Sequence, residues 1–247
     1  MDRPDPAADE LPRAPQLGAR RDPPRRRTAI TQTAIVDAAL QVMDTAGVEG
    51  LSMRKVAAVL GTGAGSLYAH VAGKEQLLEL IWDELCGRVA LPEPDPERWE
   101  EQLRQILRDF RTVFSAHRDA ALAALGRFPT TPKVLTGAEV MAALLRAGGL
   151  PDDVIALGLD QLLLHVTAVA LEDSLYRHGD RSPEEIARYI EEAHAFYAAL
   201  PPAQFPVMTS LAGAMTGPGI DERFEFGLDV LIAGLKGAAE RRAATGS

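Results

Sequence analysis

The chain has 247 residues, 47% of them hydrophobic, a formal net charge of −9 and a single cysteine. Length and apolar content allow a substantial buried core in one or two domains. The lone Cys86 excludes an intramolecular disulfide or a cysteine-based zinc site and reads as a packing residue of a reducing compartment.

The first 27 residues are rich in Pro, Arg, Asp and Ala and lack apolar periodicity, so a disordered arm is expected there. The opening MDRPDPAADELPRAP places acids and prolines where a secretory signal has bases and an apolar stretch, so a cytoplasmic protein is expected. The arm ends in an arginine cluster that includes Arg25, Arg26 and Arg27. These side chains can track phosphates or enter an A·T-rich minor groove, or serve as a solvated tail. Charge is segregated along the chain: residues 20–74 hold eight basic and four acidic side chains, residues 75–247 sixteen and twenty-seven. A basic block on an acidic body suggests that one end of the molecule meets an anionic polymer.

Helical spacing begins after Thr31, with Ile35, Ala38, Ala39, Val42, Met43 and Ala46 on one stripe. Thr31 is a suitable N-cap, Ile30 and Ile35 form a hydrophobic staple, and Gly47 supplies a left-handed stop, giving helix one over about 32–46. The same grammar repeats around Ser52, stapled by Leu51 and Val56, for a short helix near 53–60 that ends at Gly61. A third short helix over about 63–70 would turn only Leu67 and Val71 to the core. A longer helix from Lys74 carries Leu77, Leu78, Ile81, Trp82 and Leu85 on one face. Further helices are expected over about 99–117, 118–126, 133–147, 152–177, 183–199 and 221–242, with prolines between them. No useful period-2 stretch appears, so the fold class is all-α. The apolar run Leu162 to Leu171, interrupted by His165 and Thr167, falls short of the roughly 20 residues that span a bilayer, and no membrane span is expected.

Two helices joined by a tight glycine-containing turn, the second short and rich in small residues, suit a helix-turn-helix reader of DNA. Such a helix enters a groove about 12 Å wide, so its start must let the backbone approach, and Gly63, Ala64, Gly65 and Ser66 do so. Its first turn also offers unpaired N–H groups to phosphate oxygens. Gly61, Gly63 and Gly65 form a GxGxG, but a nucleotide loop needs a strand before it, and a helix precedes this one. An ordinary turn inside a helical core is the other reading of the segment.

The stretch LSMRKVAAVLGTGAGSLYAHVAGKEQLL, Leu51 to Leu78, resembles the DNA-binding signature of the tetracycline-repressor (TetR) family, including its core Leu67-Tyr68-x-His70-Val71-x-x-Lys74. A weaker likeness to the regulatory core of tetracycline repressors runs from His117-Arg118-Asp119-Ala120 through Leu125-Gly126-Arg127 to Leu171-Glu172-Asp173. The resemblance implies an N-terminal three-helix DNA-binding domain (28–74) and a larger helical effector-binding and dimerisation domain (75–247). It implies that Arg54, Thr62, Ala64, Gly65, Ser66, Tyr68, His70 and Lys74 lie at the DNA, with Thr31 at the edge of that surface. Ala64 to Ser66 would sit nearest the bases, while Tyr68, His70 and Lys74 hold phosphates. Ala124 stands where those repressors carry the histidine that binds drug-chelated magnesium, so a magnesium–tetracycline effector is not expected, nor is any cofactor or metal.

The family likeness further implies a homodimer built from the helices over 152–177 and 221–242, with Gly227, Gly234 and Ala238 where helices approach closely. Two readers about 34 Å apart would then meet a roughly palindromic double-stranded operator. A small-molecule effector would shift the helix from Lys74 to Val89 and separate the reading heads. Phe110, Phe114, Phe128, Met141, Leu144, His165 and Glu172 are the candidate effector contacts, each also explicable as core. The other function classes are a helical ligand-binding or scaffolding protein without DNA contact, and a helical enzyme. Glu191-x-x-His194 has the spacing of a di-iron bundle motif but lacks the second copy such a site requires.

Overall fold

A computed structural model describes residues 30–179 and 181–245; the expected contacts at Arg25, Arg26 and Arg27 lie outside the described residues. The described residues form no strand, and helices account for nearly all regular structure: α1 (Gln32–Gly50), α2 (Met53–Val59), α3 (Ala64–Leu67), α4 (Lys74–Cys86), α5 (Trp99–Ser115), α6 (Pro132–Ala147), α7 (Asp152–His178), α8 (Pro183–Ala198), α9 (Pro206–Ser210), α10 (Ala212–Thr216) and α11 (Ile220–Thr245). The segment expected as a helix over 118–126 is instead one 3-10 turn at Ala120–Ala123, entered through Asp119 in the left-handed region at φ 58°.

The N-terminal caps form where the sequence places them. Thr31 Oγ1 accepts from Ala34 N at 3.1 Å and Ser52 Oγ from Lys55 N at 3.4 Å. The regular part of α1 breaks at Gly47, φ 65°, and Asp119 Oδ2 accepts the Val48 N–H at 3.0 Å just beyond the break. Asp44 near the end of α1 accepts from Arg118 N at 3.0 Å and pairs with His117 Nδ1 at 3.0 Å. The head of α1–α3 is therefore bolted to the loop after α5 by backbone donors meeting carboxylates, which are stronger than neutral hydrogen bonds.

One continuous apolar core runs from Ile35 and Met43 of α1 through Leu77, Ile81 and Leu85 of α4 to Phe110 of α5, Leu162 of α7 and Phe224 of α11. Antiparallel α5 and α11 are registered by a ladder at helical spacing. Arg104 meets Asp229 at 2.7 Å, Arg108 grips Glu225 with two bonds of 2.7 and 2.6 Å, and Arg111 meets Asp221 at 2.6 Å. Arg111 also reaches Asp173 of α7 at 3.3 Å. Burial raises the Asp173 carboxyl, but the Arg177 hydrogen bond and the charges of Arg177 and Arg111 more than offset it and hold the group below the usual carboxylate range.

Helix α7 extends well beyond the apolar run read from the sequence: its 27 residues, with a mean hydropathy of 1.9 over the most apolar window, are long and apolar enough to cross a bilayer by length and composition alone. It packs instead against α5, α6 and α11. Gly227, expected where helices approach closely, does serve a close approach, but within the chain: a methyl group there would run into the His165 ring of α7. Helices α9 and α10 were not foreseen, being five-residue pieces too short to show a period; α8, which buries no side chain, packs against them.

Candidate nucleic-acid interface and effector cavity

Helix α3 is a single turn, Ala64–Leu67, shorter than the expected 63–70; beyond it the backbone continues in turns, with His70 N and Val71 N both bonded to Leu67 O at 2.9 Å. Leu67 and Val71 are buried and hold the segment down, while Gly63, Gly65, Tyr68, Ala69 and His70 are exposed and Ala64 and Ser66 partly so. The Thr62 and Ser66 hydroxyls bond to each other at 3.2 Å across the turn. A Cβ added at Gly63 or Gly65 would meet nothing within 4 Å. Neither glycine has left-handed φ, so neither the chain's own packing nor its backbone demands their smallness. Their smallness leaves the backbone here open to approach from outside.

Arg54 on α2 is exposed on the same head, and Thr31 is exposed at the start of α1. Lys74, the first residue of α4, is partly buried, and its ammonium donates to Val48 O at 2.7 Å. Lys74 thus ties α1 to α4, a contact that sequence spacing does not reveal.

A cavity of about 410 Å³ lies among α4, α5, α6, α7 and the segment 124–129. Four of the seven candidate effector contacts line it: Phe110 and Phe114, stacked with centroids 6.1 Å apart, Met141, and Phe128 at its exposed mouth. Leu144 is fully buried outside the lining. His165 stacks on Phe224 at 5.3 Å, its Nε2 bonded to Phe224 O at 3.1 Å, and so joins α7 to α11. Glu172 pairs with Arg223 at 2.7 Å, likewise outside the lining. Sequence reasoning missed Trp82 and Cys86, which α4 contributes to the wall, and Arg127 and Thr167. Ala124 also lines the cavity, and no group of three or more metal-ligating side chains gathers among the described residues. Burial, and then the Asp83 charge, push the Cys86 thiol up to about 12, so it is an uncharged part of the wall at neutral pH.

Helix α4 belongs to both places: it starts three residues after Val71 and forms part of the cavity wall one turn before its end. Polar contacts with the body add to its apolar packing at both halves. Arg127, on the cavity lining, reaches Glu75 at 2.6 Å and Glu79 at 3.6 Å. Asp83 caps α6 by accepting from Lys133 N at 2.8 Å and Val134 N at 3.4 Å.

An exposed small-residue reader joined through one helix to a ligand-sized cavity defines a DNA-binding regulator of the helix-turn-helix class. The chain belongs to the tetR family of bacterial regulatory proteins: that family's model matches residues 35–81, and the model for the tetracyclin repressor-like C-terminal domain matches residues 91–238. It is 30% identical to the HTH-type transcriptional repressor DrrR1 of Streptomyces coeruleorubidus, over 85% of this chain and 78% of that one. The apo crystal structure of ActR from Streptomyces coelicolor is similar with a TM-score of 0.77 and 41% identity, covering 87% of this chain and 99% of that one. ActR in complex with actinorhodin also gives 0.77 and 41%, covering 85% and 97%.

Proposed function

We propose that this regulator is a homodimeric repressor that occupies a roughly palindromic operator and leaves it when a small molecule enters the cavity. Support comes from the single observation that α4 is at once the continuation of the DNA reader and, through Trp82 and Cys86, a wall of the cavity. A ligand that fits better when α4 has shifted changes the distance between the two readers, and it does so only to the extent of that difference in affinity. The naming of DrrR1 as a repressor and the binding of actinorhodin by ActR favour this reading. The protein acts in the cytoplasm, where its DNA is, and is not an enzyme. The DNA-binding head spans 28–74 and the effector and dimerisation domain 75–247, with the arm of 1–27 ahead of them.

In this reading Ala64, Gly65 and Ser66 lie nearest the base edges. Arg54, Thr62, Tyr68, His70 and the donors of Lys74 not given to Val48 hold phosphates, with Thr31 and Arg25 to Arg27 at the flank. The test selects bound duplexes from a random pool and measures affinity against salt. A palindromic sequence and a steep fall with salt are expected, Arg54→Ala lowering the slope by about one unit. Tyr68→Phe, at a side chain 57% exposed, weakens binding without lowering the melting temperature. Salt-independent affinity, or unchanged affinity in both variants, would overturn the reading.

A further inference from the structure

The cavity wall is mostly apolar, and its polar side chains differ in what they already do. Arg127 is committed to Glu75 and Glu79 of α4, and Asp160 is exposed and accepts from Gln161 Nε2 at 3.2 Å. Thr167 is different: it is 93% buried, being 7% exposed, it lines the cavity, and its hydroxyl has no hydrogen-bond partner among the described residues. A mid-helix threonine ordinarily bonds back to the carbonyl four residues earlier, and this one does not. Arg111 Nε and Thr131 Oγ1 are the unpartnered polar atoms sealed from solvent among the described residues; Thr167 Oγ1 is not one of them, so its oxygen opens to the cavity. A hydroxyl that the protein leaves unmatched at a cavity wall can meet a polar atom of whatever fills the cavity, and valine would fill the same space without offering one.

The remaining wall combines aliphatic side chains, among them Val134, Leu159, Leu163 and Val166, with aromatic ones. Phe110 and Phe114 line the cavity from α5, Trp82 adds a third ring from α4, and Met141 supplies a polarisable side chain from α6. Such a wall accepts an apolar ring system, by burial and by contact with the rings and the thioether. From these observations we infer that Thr167 is a specificity-determining residue of the cavity, its hydroxyl meeting a carbonyl or hydroxyl oxygen of the guest. The inference rests on the proposed function in taking this cavity as the effector site; the recognition by Thr167 stands on the cavity alone.

The test uses two probes of one skeleton, 9-fluorenone and fluorene, which differ by the carbonyl oxygen. Binding is measured by calorimetry on the full chain and on Thr167→Val and Thr167→Ser. The expected result is that Thr167→Val binds fluorenone roughly three- to tenfold more weakly, as loss of one neutral hydrogen bond predicts, while fluorene changes less than about twofold. Thr167→Ser retains the fluorenone affinity to within about threefold, since it keeps the hydroxyl. Melting curves of the three proteins establish that the near-isosteric change has left the fold intact. Equal losses for both probes, no loss for fluorenone, or no binding of fluorenone to the parent chain would overturn the inference. Operator affinity with and without fluorenone is read separately. A Thr167 effect on fluorenone without release of DNA upholds the recognition and sinks the effector reading, whereas release without a Thr167 effect does the reverse.

Discussion

Gly47 shows how one residue can join the reading head to the body. Its φ of 65° lies in the region that side chains resist, and a Cβ there would sit 2.6 Å from Asp119 Oδ2, the atom that accepts the Val48 N–H. Asp119 is itself left-handed, so two unusual backbone conformations face one another and are reconciled by one carboxylate. Gly47→Ala is therefore expected to destabilise by roughly 1–3 kcal/mol, from backbone strain plus displacement of the carboxylate. A thermal melt should show it as a fall of several degrees, and an unchanged midpoint would contradict the argument. The glycine was legible in the sequence as a helix stop. Its tight contact with Asp119, 72 positions away, was not, because local spacing carries no information on which loop arrives from elsewhere.

At the scale of elements, α4 is gripped from the cavity side by Arg127 through Glu75 and Glu79. The carboxylates are well exposed, at 79% and 44% of the side chain, so the pair adds little to stability in water. Its consequence is mechanical: a guest that displaces the segment 124–129 pulls on the first turns of α4, next to the reader. Arg127→Gln is expected to leave the melting point nearly unchanged while reducing the loss of operator affinity that saturating fluorenone induces. Gel-shift titrations with and without the probe measure that coupling, which in comparable systems amounts to about 1–3 kcal/mol. Full coupling in the variant would remove Arg127 from the transmission path.

The same helix shows where sequence reasoning stopped. The amphipathic face of Leu77, Leu78, Ile81, Trp82 and Leu85 was readable, and all five are buried. Periodicity separates inside from outside; it does not separate a wall packed against protein from a wall facing an internal cavity. Trp82 was accordingly read as core, whereas Phe110, Phe114 and Met141 were assigned by residue type and do line the cavity. His165 illustrates the converse, a polar residue in an apolar run whose partner, Phe224 O, lies 59 positions ahead and cannot be deduced from spacing.

At the scale of the whole molecule, α11 has two faces with different duties. Phe224, Leu228 and Ile232 are buried in the chain's own core, while Phe226 and Val230 on another side are 68% and 53% exposed. Leu157, Leu164 and Leu175 on α7 are similarly bare. Apolar side chains of this number on two adjacent long helices suit a second subunit better than water. Because the inward residues are separate from the outward ones, the double change Phe226→Asp and Val230→Asp should separate the subunits and leave the helical core folded. Sedimentation should report a monomer and circular dichroism an unchanged helix content. Operator affinity should fall at least about a hundredfold, since a lone reader engages one half-site and forfeits the second contact that a fixed spacing of about 34 Å provides. If the double variant stayed dimeric, the twofold face would have to lie elsewhere. If it became monomeric yet bound the operator as tightly as the parent, paired reading of two half-sites would be excluded.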